Sequence, residues 1–501
     1  MTPNPLRSPP ILPRWAHLPL CLALGAVLSL IDRTDANWDL QNYHLYAPFA
    51  LLHGRLGWDY FAAAYQGYFN PLADVPYYLV KFVAFPQAPR MVALLAGLPF
   101  GLLVFIVLRL ASVFVAGGWA AFFATIIGVS GATTLSEVGT TFDDILVTDF
   151  VLLAMLILVR QGRRAELLAG FAFGLAVAMK LTMALFALPL AGMVLVLAQE
   201  RRLPRLVLLG AAAALGFAAG YGWWGWQLWR HYADPFFPMF SSVFHTPWAI
   251  AVDPQDARFF PKTWLQWLAY PFFWLQGKPY VVSELYIRDP RFALAFLAAL
   301  AGCWSLARRH VPPRPVLALW LFFVAGYLIW LLGFSILRYA MPLEALTGVF
   351  MASVLAMFGT RRLGWVMAAL AVLCLGVTKP MGWGRIGYGK ALVMSPVPVL
   401  PPQALVLMAG HPIGFTVPYL ARPDSRFVSL DELRGGTPEW AVLRQVLAAH
   451  PPVLLLTNAL GTDPAIANAL AGLGLAQAGP CAPVHSAVQD GIQLCPLRGG
   501  S

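Results

Sequence analysis

Long apolar runs separated by short polar breaks occupy most of the chain up to residue 378. Eleven such runs are read, at roughly 15–31, 90–108, 112–129, 145–159, 165–180, 182–198, 206–229, 292–306, 315–333, 339–358 and 363–378. Crossing about 30 Å of hydrocarbon takes roughly 20 helical residues, and 206–229, 315–333 and 339–357 are of that order. The runs do not alternate apolar with polar residues as outer-membrane strands do. In lipid the backbone must satisfy its own hydrogen bonds, so the pattern predicts helices. The expected fold is an all-α polytopic membrane domain of about eleven transmembrane helices. The first run follows Arg7 and Arg14. It lacks a small-residue cleavage site before Asp32 and is read as an uncleaved span.

Three stretches interrupt or follow the runs: 32–89, 230–291 and a tail from 379. The first two are rich in Trp, Tyr, Phe and Pro, as suits the lipid–water boundary. Within the first, 42–52 and 71–83 read as amphipathic interfacial helices. The tail alternates strand-like runs (404–408, 453–456) with helical ones (439–449, 464–470), which predicts a small α/β domain. The domains are therefore 1–378 in the membrane and 379–501 outside it. Cys481 and Cys495 are expected to pair if the tail faces an oxidising periplasm. Cys21, Cys303 and Cys374 fall in spans.

Composition agrees with this pattern: 59% of the 501 residues are hydrophobic and only 11% charged, against about 25% charged in soluble domains. A net charge of +11 would suit a nucleic-acid partner, but its distribution points elsewhere. With the N-terminus inside, the basic links at 160–164, 201–205, 308–314 and 361–362 all fall on the cytoplasmic side, as lysine and arginine prefer. The segments on that side hold 14 of the 34 Lys and Arg but only Glu166 and Glu200 of the 23 acids. The other 20 bases face 21 acids. The basicity is a topology signal, and the expected location is a bacterial inner membrane with the tail periplasmic.

The unusual polar residues then gather on the outer side. The segment after the first span reads Asp35-Ala36-Asn37-Trp38-Asp39-Leu40-Gln41-Asn42-Tyr43-His44. A carboxylate here could act as general base on a hydroxyl, or the acids could simply cap the helix that follows. Phe142-Asp143-Asp144 opens the fourth span, with Glu137 before it and Asp149 a turn deeper. Acids at a membrane entry are costly unless they meet a cation or substrate or are protonated; Asp144 also suits an N-cap. Lys180, between two spans, is either a snorkelling lysine or a phosphate ligand. Arg338, opening a later span, could grip phosphate through its guanidinium. His44 is the external histidine suited to acid–base work, and Asp144 or His44 could hold a divalent cation. No Walker lysine motif, zinc-finger spacing or Gly-x-Ser-x-Gly is present, and the glycines at 220–225 suit helix packing.

Taken in order, these motifs resemble the GT-C superfamily of membrane glycosyltransferases, which use polyprenyl-phosphate sugars. In its protein mannosyltransferases and aminoarabinose transferases an acid follows the first span, with a tyrosine four positions on and a glycine about fifteen on. Asp39, Tyr43 and Gly54 match that spacing. Asp144 matches the second acid. The run from Gly174 to Lys180 and Thr182 is similar to the family's Gly-rich span ending in lysine and threonine. Arg338, Tyr339 and Pro342 resemble its Arg-Tyr-x-x-Pro with one residue fewer. Leu40 departs from the Asp-Glu often found at the first site. The resemblance covers architecture over about 380 residues.

It implies a GT-C-like fold and sugar transfer to a glycolipid, envelope polysaccharide or protein. Asp39 and Asp144 would be catalytic. Lys180, Arg338, Tyr43, His44, Asp143 and Tyr339 would bind substrate. The donor chemistry would need no soluble nucleotide sugar, and a divalent cation is the cofactor it could involve. The alternative is a transporter or flippase of lipid-linked or small anionic substrates, in which Asp149 would relay protons. No inverted repeat of the transporter kind is evident. A non-catalytic envelope scaffold would leave Asp39, Lys180 and Arg338 without a role.

Overall fold

The structure, a computed structural model, describes residues 14–162, 164–248, 256–432, 437–449, 451–458 and 464–499. Arg7 and Arg163, two of the basic residues counted above, lie outside it.

Apolar helices occur where each of the eleven runs was read: His17–Asp32, Leu98–Phe114, Gly118–Val129, Asp144–Arg160, Ala165–Met179, Ala187–Leu197, Arg202–Tyr232, Arg291–Ala307, Arg314–Gly333, Met341–Leu355 and Leu363–Val377. Among the described residues four are long and apolar enough to cross a bilayer: Pro89–Phe114, Arg202–Tyr232, Arg314–Gly333 and Leu337–Phe358. Their outer faces carry Val207, Leu215, Leu332 and other exposed large apolar side chains, a surface that water would not tolerate. The chain is an integral membrane protein.

One boundary differs from the sequence reading. The break expected at 109–111 falls at 115–117 instead, where Gly117 adopts φ +93°, a value only glycine takes without strain. Arg109 is therefore inside a helix. The interfacial helices also differ in winding. The first begins as a π-turn, Leu40–His44, before the α-helix Tyr46–Leu52, and the second passes from α (Val75–Leu79) to π (Val80–Ala84).

The Gly-rich helix Ala165–Met179 lies along Arg202–Tyr232 at backbone contact. A Cβ on Gly174 would sit 2.1 Å from the Ala213 carbonyl, so only glycine permits this approach. Lys180 follows at its end.

A short helix, Ala132–Ser136, leads into the loop that carries Glu137 and Asp143 and ends at Asp144, the first residue of the next helix. Its first N–H groups have no partners of their own and are met by buried acids. Glu344 accepts from Thr133 N at 3.2 Å, Thr134 N at 2.9 Å and the Thr134 hydroxyl at 2.6 Å. Asp289 accepts from Ala132 N at 2.8 Å and pairs with Arg291 at 2.9 Å. Arg291 donates in turn to the Ile127 and Ser130 carbonyls and the Thr378 hydroxyl.

The tail forms a mixed sheet in the spatial order Arg426–Ser429, Leu405–Ala409, Val453–Thr457, Gln493–Gly499, Leu475–Gln477. The first three strands are parallel and the last two antiparallel to their neighbours. Helices Pro438–Ala448 and Pro464–Gly472 accompany it. Cys481 and Cys495 form a disulfide.

The sheet is not a free appendage. Thr34–Asp35 pairs antiparallel with Arg385–Ile386, and Tyr60 bonds the free edge of the strand Arg426–Ser429 through Phe427 O and Ser429 N, each at 2.9 Å. One apolar cluster mixes Leu40, Leu45 and Phe49 with Val406, Phe415 and Phe427. Arg55 and Asp59, buried and paired at 2.7 Å, pin the join. Arg55 donates to Ser425 O at 2.7 Å and Asp59 accepts from Phe427 N at 2.9 Å.

Two outcomes follow. Asp59→Ala strands a buried guanidinium, a change that costs about 3–5 kcal/mol. It should lower the melting temperature in detergent and expose 379–404 to protease; an unchanged cleavage pattern would contradict the docked tail. Glu344→Ala leaves three donors unmet at about 1–3 kcal/mol each and should destabilise the protein severely, with Glu344→Gln milder. Equal melting of the two variants would show that the carboxylate is not the clamp.

Candidate functional site

The first outer segment is set by side chains other than Asp39. The Asp35 carboxylate accepts from Asn37 N, Asn37 Nδ2, Thr141 N and Thr141 Oγ1 at 2.8–3.1 Å. It thereby fastens this segment to the 137–143 loop. Asn37 Oδ1 accepts from Leu40 N at 2.7 Å, which is the cap that the following turn needs. Asp39 makes no cap hydrogen bond. The capping explanation therefore belongs to Asn37, and Asp35 is a structural pin.

Asp39 instead meets Arg338, whose Nη1 lies 3.1 Å from Asp39 Oδ2 and 3.9 Å from Asp144 Oδ2. The guanidinium lies over Phe142 at 4.6 Å and Trp383 at 5.5 Å, ring-centroid distances that suit cation–π attraction. Trp383 is held by a 3.2 Å bond to the Ser136 hydroxyl. Arg338 Nε is buried without a hydrogen-bond partner among the described residues.

Lys180 does not snorkel away. Its Nζ is 2.7 Å from Asp143 Oδ1 and 2.8 Å from Asp144 Oδ1, and it stands 5.5 Å from the Tyr339 ring centroid. Neither Asp143 nor Asp144 caps the helix after it. Both Asp144 oxygens lack hydrogen-bond geometry to any described group, so Lys180 and Arg338 hold it by charge. Glu137, 1% exposed, also has both oxygens unbonded and lies within electrostatic reach of Asp144, Arg338 and Lys180.

His44 is 2% exposed, and its Nδ1–H donates to Asp74 Oδ1 at 2.6 Å. Its ring lies 4.1 Å from that of Tyr43 and edge-on to Phe142 at 6.3 Å. Burial works against the imidazolium, but the charge and hydrogen bond of Asp74, with Asp39 and Asp143 beyond, outweigh it and raise His44 above its ordinary range. Burial likewise raises the Asp74 carboxyl, against the pull of His44. Burial and the charges of Asp39 and Asp143 push the Tyr43 phenol well up, so it stays a neutral donor.

The network thus joins Asp39, Asp143, Asp144, Lys180, Arg338 and Tyr339 through direct contacts, with Tyr43 and His44 against it. Asp149 is not part of it; it is buried with no hydrogen-bond partner among the described residues. Asp74 and Trp383 were not singled out in the sequence. Asp74 falls there inside the interfacial helix read at 71–83, and Trp383 near the start of the tail. Among the described residues no three His, Cys, Asp or Glu side chains converge as a metal cage, so neither Asp144 nor His44 is identified as a metal ligand.

The sequence matches no protein-family model and no curated protein. Solved structures align with it at low identity. Archaeoglobus fulgidus oligosaccharyltransferase, in complex with Zn and sulfate, aligns at a TM-score of 0.46 and 13% identity over 87% of this chain and 68% of that one. ArnT from Cupriavidus metallidurans bound to undecaprenyl phosphate aligns at 0.45 and 13% over 97% and 98%. The same protein in the apo state aligns at 0.43 and 14% over 96% and 98%. These alignments extend over 87–97% of this chain, and the roles of individual residues rest on the geometry alone.

Proposed function

We propose that this chain transfers a sugar from a polyprenyl-phosphate donor to an acceptor on the outer, periplasmic side of a bacterial inner membrane. One observation carries the reading: Lys180 and Arg338, from separate spans, converge with Asp39 and Asp144 at one end of the helix bundle. That arrangement agrees with the orientation argued from the basic links, in which eleven crossings put all four residues outside. The tail is then a periplasmic domain of residues 379–501, seated on the outer loop.

In the reaction an acceptor hydroxyl attacks the sugar's anomeric carbon and the bond to the phosphate oxygen breaks. The hydroxyl proton passes to Asp39, and the lipid phosphate leaves with its charge met by Lys180 and Arg338. Asp144 and Asp143 hold these cations in place and orient the acceptor. Arg338 is paired with Asp39 at 3.1 Å. A phosphate that takes over Arg338 frees the Asp39 carboxylate, so donor binding and the availability of the base are linked. The transporter alternative rests on Asp149, a buried acid with no described hydrogen-bond partner. It does not account for the charges gathered at one end.

Glycosyl transfer measured in proteoliposomes with polyprenyl-phosphate sugars tests the base. Asp39→Asn should lose on the order of 10²–10⁴ in rate, and wild-type activity in that variant would overturn the assignment. Lys180→Ala and Arg338→Ala should each weaken polyprenyl-phosphate binding about tenfold or more. Unchanged affinity in both would remove the phosphate site.

A further inference from the structure

Five residues separate Asp39 from His44. In an α-helix of 3.6 residues per turn, five residues overshoot a full turn by more than a third, which would rotate His44 away from Asp39. Residues Leu40–His44 are π-wound, and i→i+5 bonding brings each fifth residue back over the one before. His44 therefore faces the same way as Asp39 and lies within the fields of Asp39, Asp143 and Asp74. Its Nδ1 is committed to Asp74. Its Nε2 is buried and has no hydrogen-bond partner among the described residues, a group that is costly to leave unmet.

We propose that His44, held through Nδ1 by Asp74, is a third cation of the phosphate site and presents its Nε2–H to an anionic oxygen of the lipid phosphomonoester. The proposal rests on the sugar-transfer reading above. Among the described residues, the permanent cations set against Asp39, Asp74, Asp143, Asp144 and Glu137 are Lys180 and Arg338. A phosphate entering so acidic a site gains from one more positive charge, and histidine is the side chain that supplies it within the physiological range. The 2.6 Å bond to Asp74 and the tilted contact with the Tyr43 ring fix the imidazole, so the Nε2 direction is set before the ligand arrives.

The sign of the pH dependence follows from the carboxylates that raise His44. The imidazolium is complete below the raised value and is lost as pH rises through it. The groups that face the ring are Asp74, Asp39, Asp143 and the Tyr43 phenol. The phosphate's own titration is common to wild type and variant and cancels in their ratio.

The test is equilibrium binding of a polyprenyl phosphate to the full chain in lipid nanodiscs from mildly acidic to alkaline pH, comparing wild type, His44→Gln and Asp74→Asn. His44→Gln should bind about tenfold more weakly or worse on the acid side, with the ratio to wild type approaching one as pH rises. Asp74→Asn keeps the ring and its packing and should shift the transition to lower pH. A ratio that does not change with pH, or a transition unmoved in Asp74→Asn, overturns the role of His44. If His44→Gln does not fold, the Asp74→Asn transition decides alone. Wild type that fails to bind polyprenyl phosphate at any pH removes the sugar-transfer reading and this inference with it. Wild type that binds with a pH-independent ratio removes only the inference.

Discussion

A guanidinium withdrawn from water has to be neutralised and surrounded, and Arg338 meets that requirement with groups from three separated parts of the chain. Its charge is met by Asp39 after the first span and Asp144 at the fourth. Its faces are covered by Phe142 and by Trp383 from the start of the tail. An unpaired charge in this setting would cost several kcal/mol. The partners therefore cannot drift independently, and the position of each reports on the others. The 137–143 loop is held from the other side by Asp35 and, through its leading helix, by Glu344.

The same requirement shapes how the site can work. Its two permanent cations are already engaged by carboxylates, Lys180 by Asp143 and Asp144 and Arg338 chiefly by Asp39. An anionic ligand enters such a site by exchange, taking the place of a carboxylate on a cation that is already positioned. Exchange keeps the buried charge balanced at each stage, so neither cation has to be desolvated again when the ligand leaves. The carboxylate released in the exchange is the one best placed to take a proton.

The helices were legible because lipid imposes a simple rule on length and polarity, and every apolar run coincides with a helix. The tail strands at 404–408 and 453–456 were legible for the same reason of local pattern, whereas the edge strand Arg426–Ser429 was not, because it is short and is completed by Tyr60 from far away in sequence. Asp39, Asp144, Lys180 and Arg338 stood out because charge near a span is rare. What could not be read was how they pair. Whether Asp39 caps a helix or meets Arg338 depends on Asn37 supplying the cap instead, a choice that residue type leaves open. Asp74 and Trp383 were invisible for a related reason: an acid within an interfacial helix and a tryptophan after a span are ordinary there, and only the fold brings them to the site.

The π-turn at Leu40–His44 was also beyond the reach of periodicity, and it links the tail to the site. A π-turn has poorer internal geometry than an α-helix and persists where its surroundings hold it. Here the tail supplies part of that hold. The 3-10 turn Gly414–Thr416 packs on the segment so closely that a Cβ on Gly414 would lie 2.1 Å from the Asn42 carbonyl. Leu40 and Leu45 bury against Phe415 and the tail's sheet in one apolar cluster. An α-wound segment would rotate His44 off the face of Asp39 and change the surface offered to that turn. The tail thus acts on the site through Trp383 over Arg338 and by fixing the winding that sets which residues of the first outer segment face Arg338 together.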